Sequence, residues 1–178
     1  AGLSVSAVAL GCWPIAGMTT LDVNDADSIA TIRKCLEVGI NHIDTAYVYG
    51  PNGESENLIR RALAGTHPSG SRRDEVVLAT KCGIHYEGSE MVTDGRPERL
   101  KAECEESLRR LGTDRVDLLY LHTPDESVPL AESAGALREL MEAGKTRSVG
   151  ISNFTVDQMQ EFAAVCPIIA TQMPYNML

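Results

Sequence analysis

Four side chains that can exchange protons or carry charge follow the ends of consecutive apolar segments in the sequence. Asp44 ends one segment, Tyr49 comes five residues later, Lys81 ends the next segment, and His122 ends the one after that. Each residue alone has an ordinary structural interpretation as a turn residue, a solvated strand end or a packing aromatic. Four such groups at one end of consecutive strands instead favour a catalytic cluster.

Carbonyl reduction is the chemistry that suits these four residues. Hydride addition to a carbonyl carbon leaves an alkoxide that needs a proton, and a phenol can supply it, although an unperturbed tyrosine with a pKa of about 10 is a slow acid at neutral pH. An ammonium about 4 Å away stabilises the phenolate by up to about 4 kcal/mol at an effective dielectric of 20. We therefore expect Tyr49 to donate the proton and Lys81 to assist it. Asp44 would keep Lys81 charged and oriented, and His122 would donate to the carbonyl oxygen.

The elements that must position these residues alternate between short apolar runs and helical patterns. Predicted strands cover residues 8–11, 41–44, 76–81, 116–122, 148–152 and 168–172, and five helical patterns lie between them. One of these patterns places Leu100, Cys104, Leu108 and Leu111 on a single face. This alternation predicts an α/β fold with a parallel sheet and right-handed crossovers.

The segment after the first predicted strand separates the two common parallel architectures. It reads Gly-Cys-Trp-Pro at 11–14, which is not the GxGxxG fingerprint of a dinucleotide-binding open sheet. A barrel places its chemistry at the carboxyl ends of many strands, as the four residues above require. We predict a (β/α)8 TIM barrel, to which this chain contributes about the first six strands as a single, incomplete domain over residues 1–178. A complete barrel has eight strands and about 250 residues, so we expect the chain to be a fragment.

Composition narrows the possible partners. The net charge is −9, with no basic cluster to attract phosphates, which argues against a nucleic-acid partner. The apolar runs are too short to cross a bilayer, so we expect no membrane partner and a cytoplasmic location.

The five cysteines are widely spaced and are expected to be reduced. No histidine has partners at metal-ligand spacing, so we predict no metal. The acidic stretch 103–106 is interpreted as the solvated face of a helix. The oligomeric state stays open.

Four segments resemble the successive signatures of the aldo-keto reductase family, in the family's order and spacing. They are Asp-Thr-Ala-Tyr-Val-Tyr-Gly at 44–50, the strand that ends at Lys81, Leu-Leu-Tyr-Leu-His-Thr-Pro-Asp at 118–125, and Arg-Ser-Val-Gly-Ile-Ser-Asn-Phe at 147–154. The chain is most similar to the bacterial general-stress type, from Gly-Cys-Trp at 11–13 to Pro-Tyr-Asn at 174–176.

The resemblance implies a function and further site residues. It implies reduction of small-molecule aldehydes or ketones, with NADPH rather than NADH as the hydride donor, and a catalytic tetrad of Asp44, Tyr49, Lys81 and His122. It also implies that Ser152, Asn153 and Gln172 hold the carboxamide of the nicotinamide. Trp13 matches an aromatic that lines the substrate pocket in the family. Tyr86, in a predicted loop after the third strand, is expected to be a further pocket residue, and His85 beside it is a candidate for substrate contact.

Two other functions remain open on the sequence. One is a nucleotide-binding regulatory or sensor subunit of the same family, with little or no catalysis. The other is an unrelated barrel isomerase or lyase in which Lys81 forms a Schiff base with the substrate. The presence of all four tetrad residues argues against the first, and a carboxylate that keeps Lys81 protonated argues against the second.

Overall fold

The computed structural model describes residues 2–64 and 72–174, and it contains one large sheet and one small sheet. The strands, in chain order, are β1 (Ala9–Gly11), β2 (His42–Asp44), β3 (Val77–Cys82), β4 (Ile84–Glu87), β5 (Glu90–Thr93), β6 (Leu118–Leu121), β7 (Val149–Ser152) and β8 (Ile168–Gln172). Six of them pair in parallel in the order β1-β2-β3-β6-β7-β8, whereas β4 and β5 form a separate antiparallel hairpin. The six-stranded sheet is the predicted part of a barrel wall. The part of the family resemblance at 175–176 lies outside the described residues.

Five helices connect the parallel strands and cover the outer face of the sheet. They are α1 (Asp25–Glu37), α2 (Glu54–Leu63), α3 (Pro97–Leu111), α4 (Leu130–Glu142) and α5 (Val156–Ala163). Their apolar faces are buried against one side of the strands, as the helical spacing predicts. In α3, for example, Leu100, Cys104, Leu108 and Leu111 all belong to the main core.

The helix ends follow local sequence signals. Thr155 accepts a hydrogen bond from the backbone N–H of Gln158, whose side chain in turn accepts from the N–H of Thr155, so α5 begins with a capping box. Pro97 occupies the first turn of α3, where no N–H is needed for the helix. Gly112 ends α3 at a φ of 68°, a left-handed conformation that favours glycine. These signals fix where α3 begins and ends and where α5 begins.

Alternation along each strand separates the core from the site. In β3, Leu78 and Cys82 pack into the main core with the helices, whereas Ala79 belongs to a small cluster on the opposite, inner face with Tyr120. Because successive side chains point to opposite faces, Lys81 lies on the inner face with Ala79. The same alternation places polar residues at the inner, carboxyl ends of β2, β7 and β8, which end in Asp44, Ser152 and Gln172.

The structure corrects several predicted boundaries. The predicted strand 116–122 is shorter, at Leu118–Leu121, because Val116 makes only an isolated bridge to Thr146 and His122 lies just past the strand end. Lys81 is not the last residue of its strand, since Cys82 continues the pairing with β6. The last strand coincides with its prediction at residues 168–172.

The predicted loop after the third strand is wrong, because this segment forms the hairpin of β4 and β5. Four residue pairs join its strands, from Ile84 opposite Thr93 to Glu87 opposite Glu90. Gly88, at a φ of 62°, allows the tight turn between them. The alternation of Ile-His-Tyr-Glu at 84–87, followed by Gly88 and then by Met91, Val92 and Thr93, is the signal that could have identified the hairpin.

Candidate active site

Lys81 is the central residue of the candidate site. Its side chain is only 1% exposed, and its Nζ atom has three oxygen partners: Asp44 Oδ2 at 2.8 Å, the carbonyl oxygen of Thr45 at 2.9 Å and the Tyr49 hydroxyl at 3.3 Å. A buried ammonium requires such partners because it has left water. The ammonium therefore joins the end of β2 to the segment that follows it.

The segment from Asp44 to Tyr49 keeps a defined path because it continues to bond to β3. The backbone N–H of Thr45 donates to Ala79, and that of Tyr47 donates to the carbonyl of Lys81. On the side of α2, the hydroxyls of Thr45 and Ser55 are 2.7 Å apart. These bonds hold the Tyr49 hydroxyl close to Lys81.

A second layer of charged residues contacts this segment from the side of the helices. It was not predicted from the sequence. Arg110 on α3 donates to the carbonyl oxygen of Tyr47 at 3.1 Å, and its guanidinium lies 4.3 Å from the centroid of the Tyr47 ring. The fully buried Glu56 of α2 lies 3.4 Å from Arg110 and accepts from Thr80 at 2.8 Å. Burial raises the pKa of Glu56. Charged residues on helices are mostly exposed, so neither Arg110 nor Glu56 was predicted to face inward.

The His122 ring packs against the Tyr49 ring. The two ring centroids are 6.0 Å apart, with the planes at 71°. Burial, and to a smaller extent the charge of Lys81, lowers the pKa of His122 to about 3. At neutral pH the imidazole is therefore uncharged, with one nitrogen that donates and one that accepts. Within the described residues its buried Nδ1 atom has no hydrogen-bond partner.

The three residues expected to hold a carboxamide end two neighbouring strands. Ser152 and Gln172 are register partners of β7 and β8, and Asn153 follows β7 at a φ of 62°. The amide nitrogen of Asn153 donates to the carbonyl oxygen of His122 at 3.0 Å, and that of Gln172 donates to Asp44 Oδ2 at 3.2 Å. The structure therefore brings Asn153 and Gln172 into direct contact with two members of the predicted tetrad.

Both expected pocket residues lie beside Tyr49. The Trp13 ring packs edge to face on the Tyr49 ring, with centroids 5.0 Å apart. Tyr86 also packs against the small cluster that contains Tyr49, and its hydroxyl lies 3.7 Å from the Met18 sulfur. Tyr86 is part of β4 rather than of a loop. His85 is buried with its Nδ1 atom 3.4 Å from Glu103 of α3, which is the wrong side for the expected substrate contact.

Tyr120 lies on the inner face below these residues and was not identified from the sequence. Its ring centroid is 6.0 Å from Lys81 Nζ. Burial, together with the Asp44 charge, raises the pKa of Tyr120 to about 12, so its hydroxyl stays protonated at neutral pH. Its ring lies directly over Gly150, where a Cβ atom would come within 2.5 Å of it. Glycine is therefore required in β7 to accommodate this ring.

Three further predictions concern metals, membranes and thiols. No group of three or more metal-ligating side chains comes together in the part of the chain that the structure describes. Over the same residues, no helix has the length and apolar character needed to span a membrane. All five cysteines are free thiols, and four of them are buried.

Chemically, this arrangement can pass a proton. The Lys81 ammonium, 3.3 Å from the Tyr49 hydroxyl, would stabilise negative charge that develops on that oxygen, and the neutral imidazole of His122 can donate a hydrogen bond to the acceptor of the Tyr49 proton. An oxygen that gains negative charge near Tyr49 and His122 would be stabilised by both groups.

Known proteins match this chain over nearly its whole length. The family model described as "Aldo/keto reductase family" matches residues 7–178. The chain is 40% identical over 176 residues to the aldo-keto reductase YhdN of Bacillus subtilis (strain 168), which covers 99% of this chain and 52% of that protein.

Two solved structures show the same fold. The glycerol dehydrogenase AKR11B4 from Gluconobacter oxydans superposes with a TM-score of 0.85 at 40% identity, over 97% of this chain and 52% of that one. The aldo-keto reductase AKR11C1 from Bacillus halodurans, in its holo form, gives 0.84 at 31% identity, over 99% and 55% of the two chains. The chain spans about half the length of each of these relatives. Its six parallel strands thus correspond to part of an eight-stranded TIM barrel, and the chain belongs to the aldo/keto reductase family.

Proposed function

We propose that the protein reduces aldehydes or ketones to alcohols, with Tyr49 as the proton donor and NADPH as the hydride source. One observation carries the proposal: Lys81 Nζ contacts both the Tyr49 hydroxyl and the Asp44 carboxylate within a buried cluster. Family membership supports it, since aldo/keto reductases typically use a nicotinamide cofactor.

Tyr49 is the group that moves the proton. When bound, the reduced nicotinamide supplies the hydride that forms the new C–H bond. The carbonyl oxygen takes the phenolic proton of Tyr49, which completes the alcohol. The Lys81 ammonium, 3.3 Å from the phenol oxygen, stabilises the negative charge left on Tyr49, and Asp44 holds that ammonium in place at 2.8 Å.

His122 orients the substrate. Because its pKa is lowered to about 3, it is a neutral imidazole at neutral pH and donates a hydrogen bond without releasing its proton. A carbonyl oxygen held between Tyr49 and His122 receives two hydrogen bonds. This arrangement sets the angle at which the carbonyl presents its carbon.

Ser152, Asn153 and Gln172 fit the carboxamide of a nicotinamide. A carboxamide offers two N–H donors and one carbonyl acceptor, and these residues supply one hydroxyl and two amides at adjacent strand ends. In the described part of the chain, the amide nitrogens of Asn153 and Gln172 bond within the protein, whereas no protein donor reaches their amide oxygens. Those oxygens are the atoms that would accept the carboxamide N–H groups. We propose NADPH rather than NADH from the family resemblance, and a comparison of kcat/KM with the two cofactors tests it.

The same groups serve the reverse reaction. One relative is a glycerol dehydrogenase by name, which is the direction of alcohol oxidation for that protein. In that direction Tyr49 accepts the proton that it donates in reduction. A Schiff base on Lys81 fits less well, because its Nζ atom is already held by the Asp44 carboxylate at 2.8 Å, by the Thr45 carbonyl oxygen and by the Tyr49 hydroxyl.

Removal of one hydroxyl tests the proposal. In the complete natural polypeptide that carries this sequence, Tyr49→Phe should lower kcat/KM for aldehyde reduction by about 10²–10⁴-fold, because a positioned general acid contributes that much. Tyr47→Phe is the matched control, since this tyrosine is in the same segment but contacts Arg110 rather than Lys81. A change of only a few-fold in Tyr49→Phe, or equal losses in both variants, would exclude Tyr49 as the acid.

A further inference from the structure

Glu103 is a buried carboxylate that the proposed chemistry does not use. It stands in the acidic stretch 103–106, which was interpreted as solvated, but its side chain is only 1% exposed. The interpretation fails for Glu103 because it lies three residues after Leu100 and thus shares the buried face of α3. Burial raises its pKa to about 7, which reflects the cost of a carboxylate at this position.

The partners of Glu103 are at the base of the hairpin. Its Oε2 atom accepts the backbone N–H of Gly83 at 2.6 Å, and its Oε1 atom accepts from Arg99 Nε at 2.8 Å. Gly83 is the residue between β3 and β4, and its carbonyl oxygen accepts the N–H of Asp94 just after β5. Glu103 therefore fixes the position at which the hairpin leaves the barrel.

Only glycine fits at position 83 without strain. Its φ is +96°, a conformation that favours glycine, and a Cβ atom there would lie 2.9 Å from a methyl carbon of Leu121 and 3.3 Å from one of Leu100. We call Gly83 at one end of the hairpin and Asp94 and Gly95 at the other end its neck. The second end is held too, because Gly95 donates to Asp125 at 2.9 Å and accepts from the Ser133 hydroxyl at 2.7 Å. The neck is thus bonded to α3 on one side and to α4 on the other.

One face of β4 lies against Glu103, and its opposite face lies against the candidate site. His85 points towards α3, with its Nδ1 atom 3.4 Å from Glu103 and its Nε2 atom 3.5 Å from Glu87. Ile84 and Tyr86, on the opposite face, pack against the cluster that contains Tyr49. Only two residues separate Lys81 from Ile84, so a shift of the neck moves this wall relative to the reacting groups.

We propose that Glu103 is a positioning residue that determines substrate size. It fixes Gly83, so that Ile84 and Tyr86 form a rigid wall beside Tyr49, and this wall limits the bulk of the carbonyl compound that the site accepts. The inference rests on the proposed reductase function. It concerns a residue that touches neither the substrate nor the reacting atoms.

The test is Glu103→Gln in the complete polypeptide, assayed with acetaldehyde and with 2-naphthaldehyde. Glutamine offers one oxygen and one NH₂ group, so either Gly83 or Arg99 loses its acceptor. Because a loosened wall no longer limits bulk, we expect kcat/KM for the large aldehyde to rise by about 10- to 200-fold, mainly through a lower KM, with little change for acetaldehyde. Glu105→Gln is the matched control, because Glu105 is on the same helix but forms an exposed ion pair with Lys145.

Hydrogen exchange gives a readout that does not depend on activity. Peptides that cover residues 84–93 should exchange faster in Glu103→Gln than in wild type, and peptides from α5 should not. If Glu103→Gln does not fold, His85→Phe, which keeps a ring of similar size but removes the nitrogen facing Glu103, should give the same pattern in a weaker form.

Provided that the wild-type polypeptide is active, three results with Glu103→Gln would overturn the inference. They are an equal loss of kcat/KM with both aldehydes, no change of kcat/KM with either, and unchanged hydrogen exchange in the hairpin. A wild-type polypeptide that reduces neither aldehyde would instead contradict the proposed function, and the size-selecting role with it.

Discussion

Gln172 and Lys81 both donate to the same carboxylate oxygen, Asp44 Oδ2, at 3.2 and 2.8 Å. They come from β8 and β3, which are not neighbours in the sheet, so the carboxylate links distant strands across the inner face. The side chains of Lys81 and Asp44 are 1% and 11% exposed. Because the pair is shielded from water, removal of one partner leaves a charge that the fold cannot solvate.

Lys81→Met should therefore affect both stability and activity. We expect the free energy of unfolding to fall by about 3–5 kcal/mol, because the Asp44 carboxylate remains buried without its cation. Adding Asp44→Asn should restore most of this stability without restoring reduction, since the double variant has no buried charge and no ammonium beside Tyr49. Urea unfolding and aldehyde reduction measure the two effects. A double variant as unstable as the sum of the single variants would show that the pair is not coupled.

His122 should make stability depend on pH. Its imidazole takes up a proton near pH 6.5 in the unfolded chain but only near pH 3 in the folded one. The unfolded state thus binds more protons between these values, so this contribution to stability is present above pH 6.5 and is lost as the pH falls towards 3.

Replacement of His122 by Asn should remove this contribution to the pH dependence of folding stability. Between pH 7 and about 4.5, wild type should lose on the order of 2 kcal/mol more than His122→Asn. Urea unfolding of both proteins across this range measures the difference, in which the carboxylates common to both cancel. Parallel stability curves would mean that His122 is not held in its neutral form.

Gly150 should tolerate no side chain while Tyr120 is present. A Cβ atom at this position would lie 2.5 Å from the Tyr120 ring and 3.1 Å from the carbonyl oxygen of Ala170. We expect Gly150→Ala to destabilise the fold by about 1–3 kcal/mol. The ring contact predicts that Tyr120→Leu reduces this penalty when the two changes are combined. Thermal unfolding of the single and double variants checks this, and strictly additive effects would assign the strain to the backbone of β8 instead.

The sequence predicted the polar ends of the strands better than the residues that support them. Asp44, Lys81, Ser152 and Gln172 could be predicted because parallel strands with alternating side chains bring their carboxyl ends together on one face. The strand at 168–172 was also predicted with its correct bounds.

The missed features depend on distant contacts. Glu103 and Glu56 are charged residues of a type usually found on solvated helix faces. The spacing of Glu103 from Leu100 places it on the buried face of α3, but only the packing of α2 and α3 against the strands shows the partners of both carboxylates. The hairpin after β3 did have a local signal in the alternation of residues 84–87 before Gly88, but so short a segment is also typical of the connection between a strand and a helix. The contact between Tyr120 and Gly150 joins two strands, and neither residue type indicates it alone.

The most direct test of the proposed function follows the transferred atom. The complete polypeptide is supplied with an aldehyde and with NADPH that carries deuterium at the transferable position, and the product is examined by mass spectrometry. We predict an alcohol with one deuterium on the former carbonyl carbon, formed about 10²–10⁴-fold more slowly by Tyr49→Phe. If wild type binds the nucleotide but transfers no deuterium, the protein is a nucleotide-binding sensor rather than a reductase.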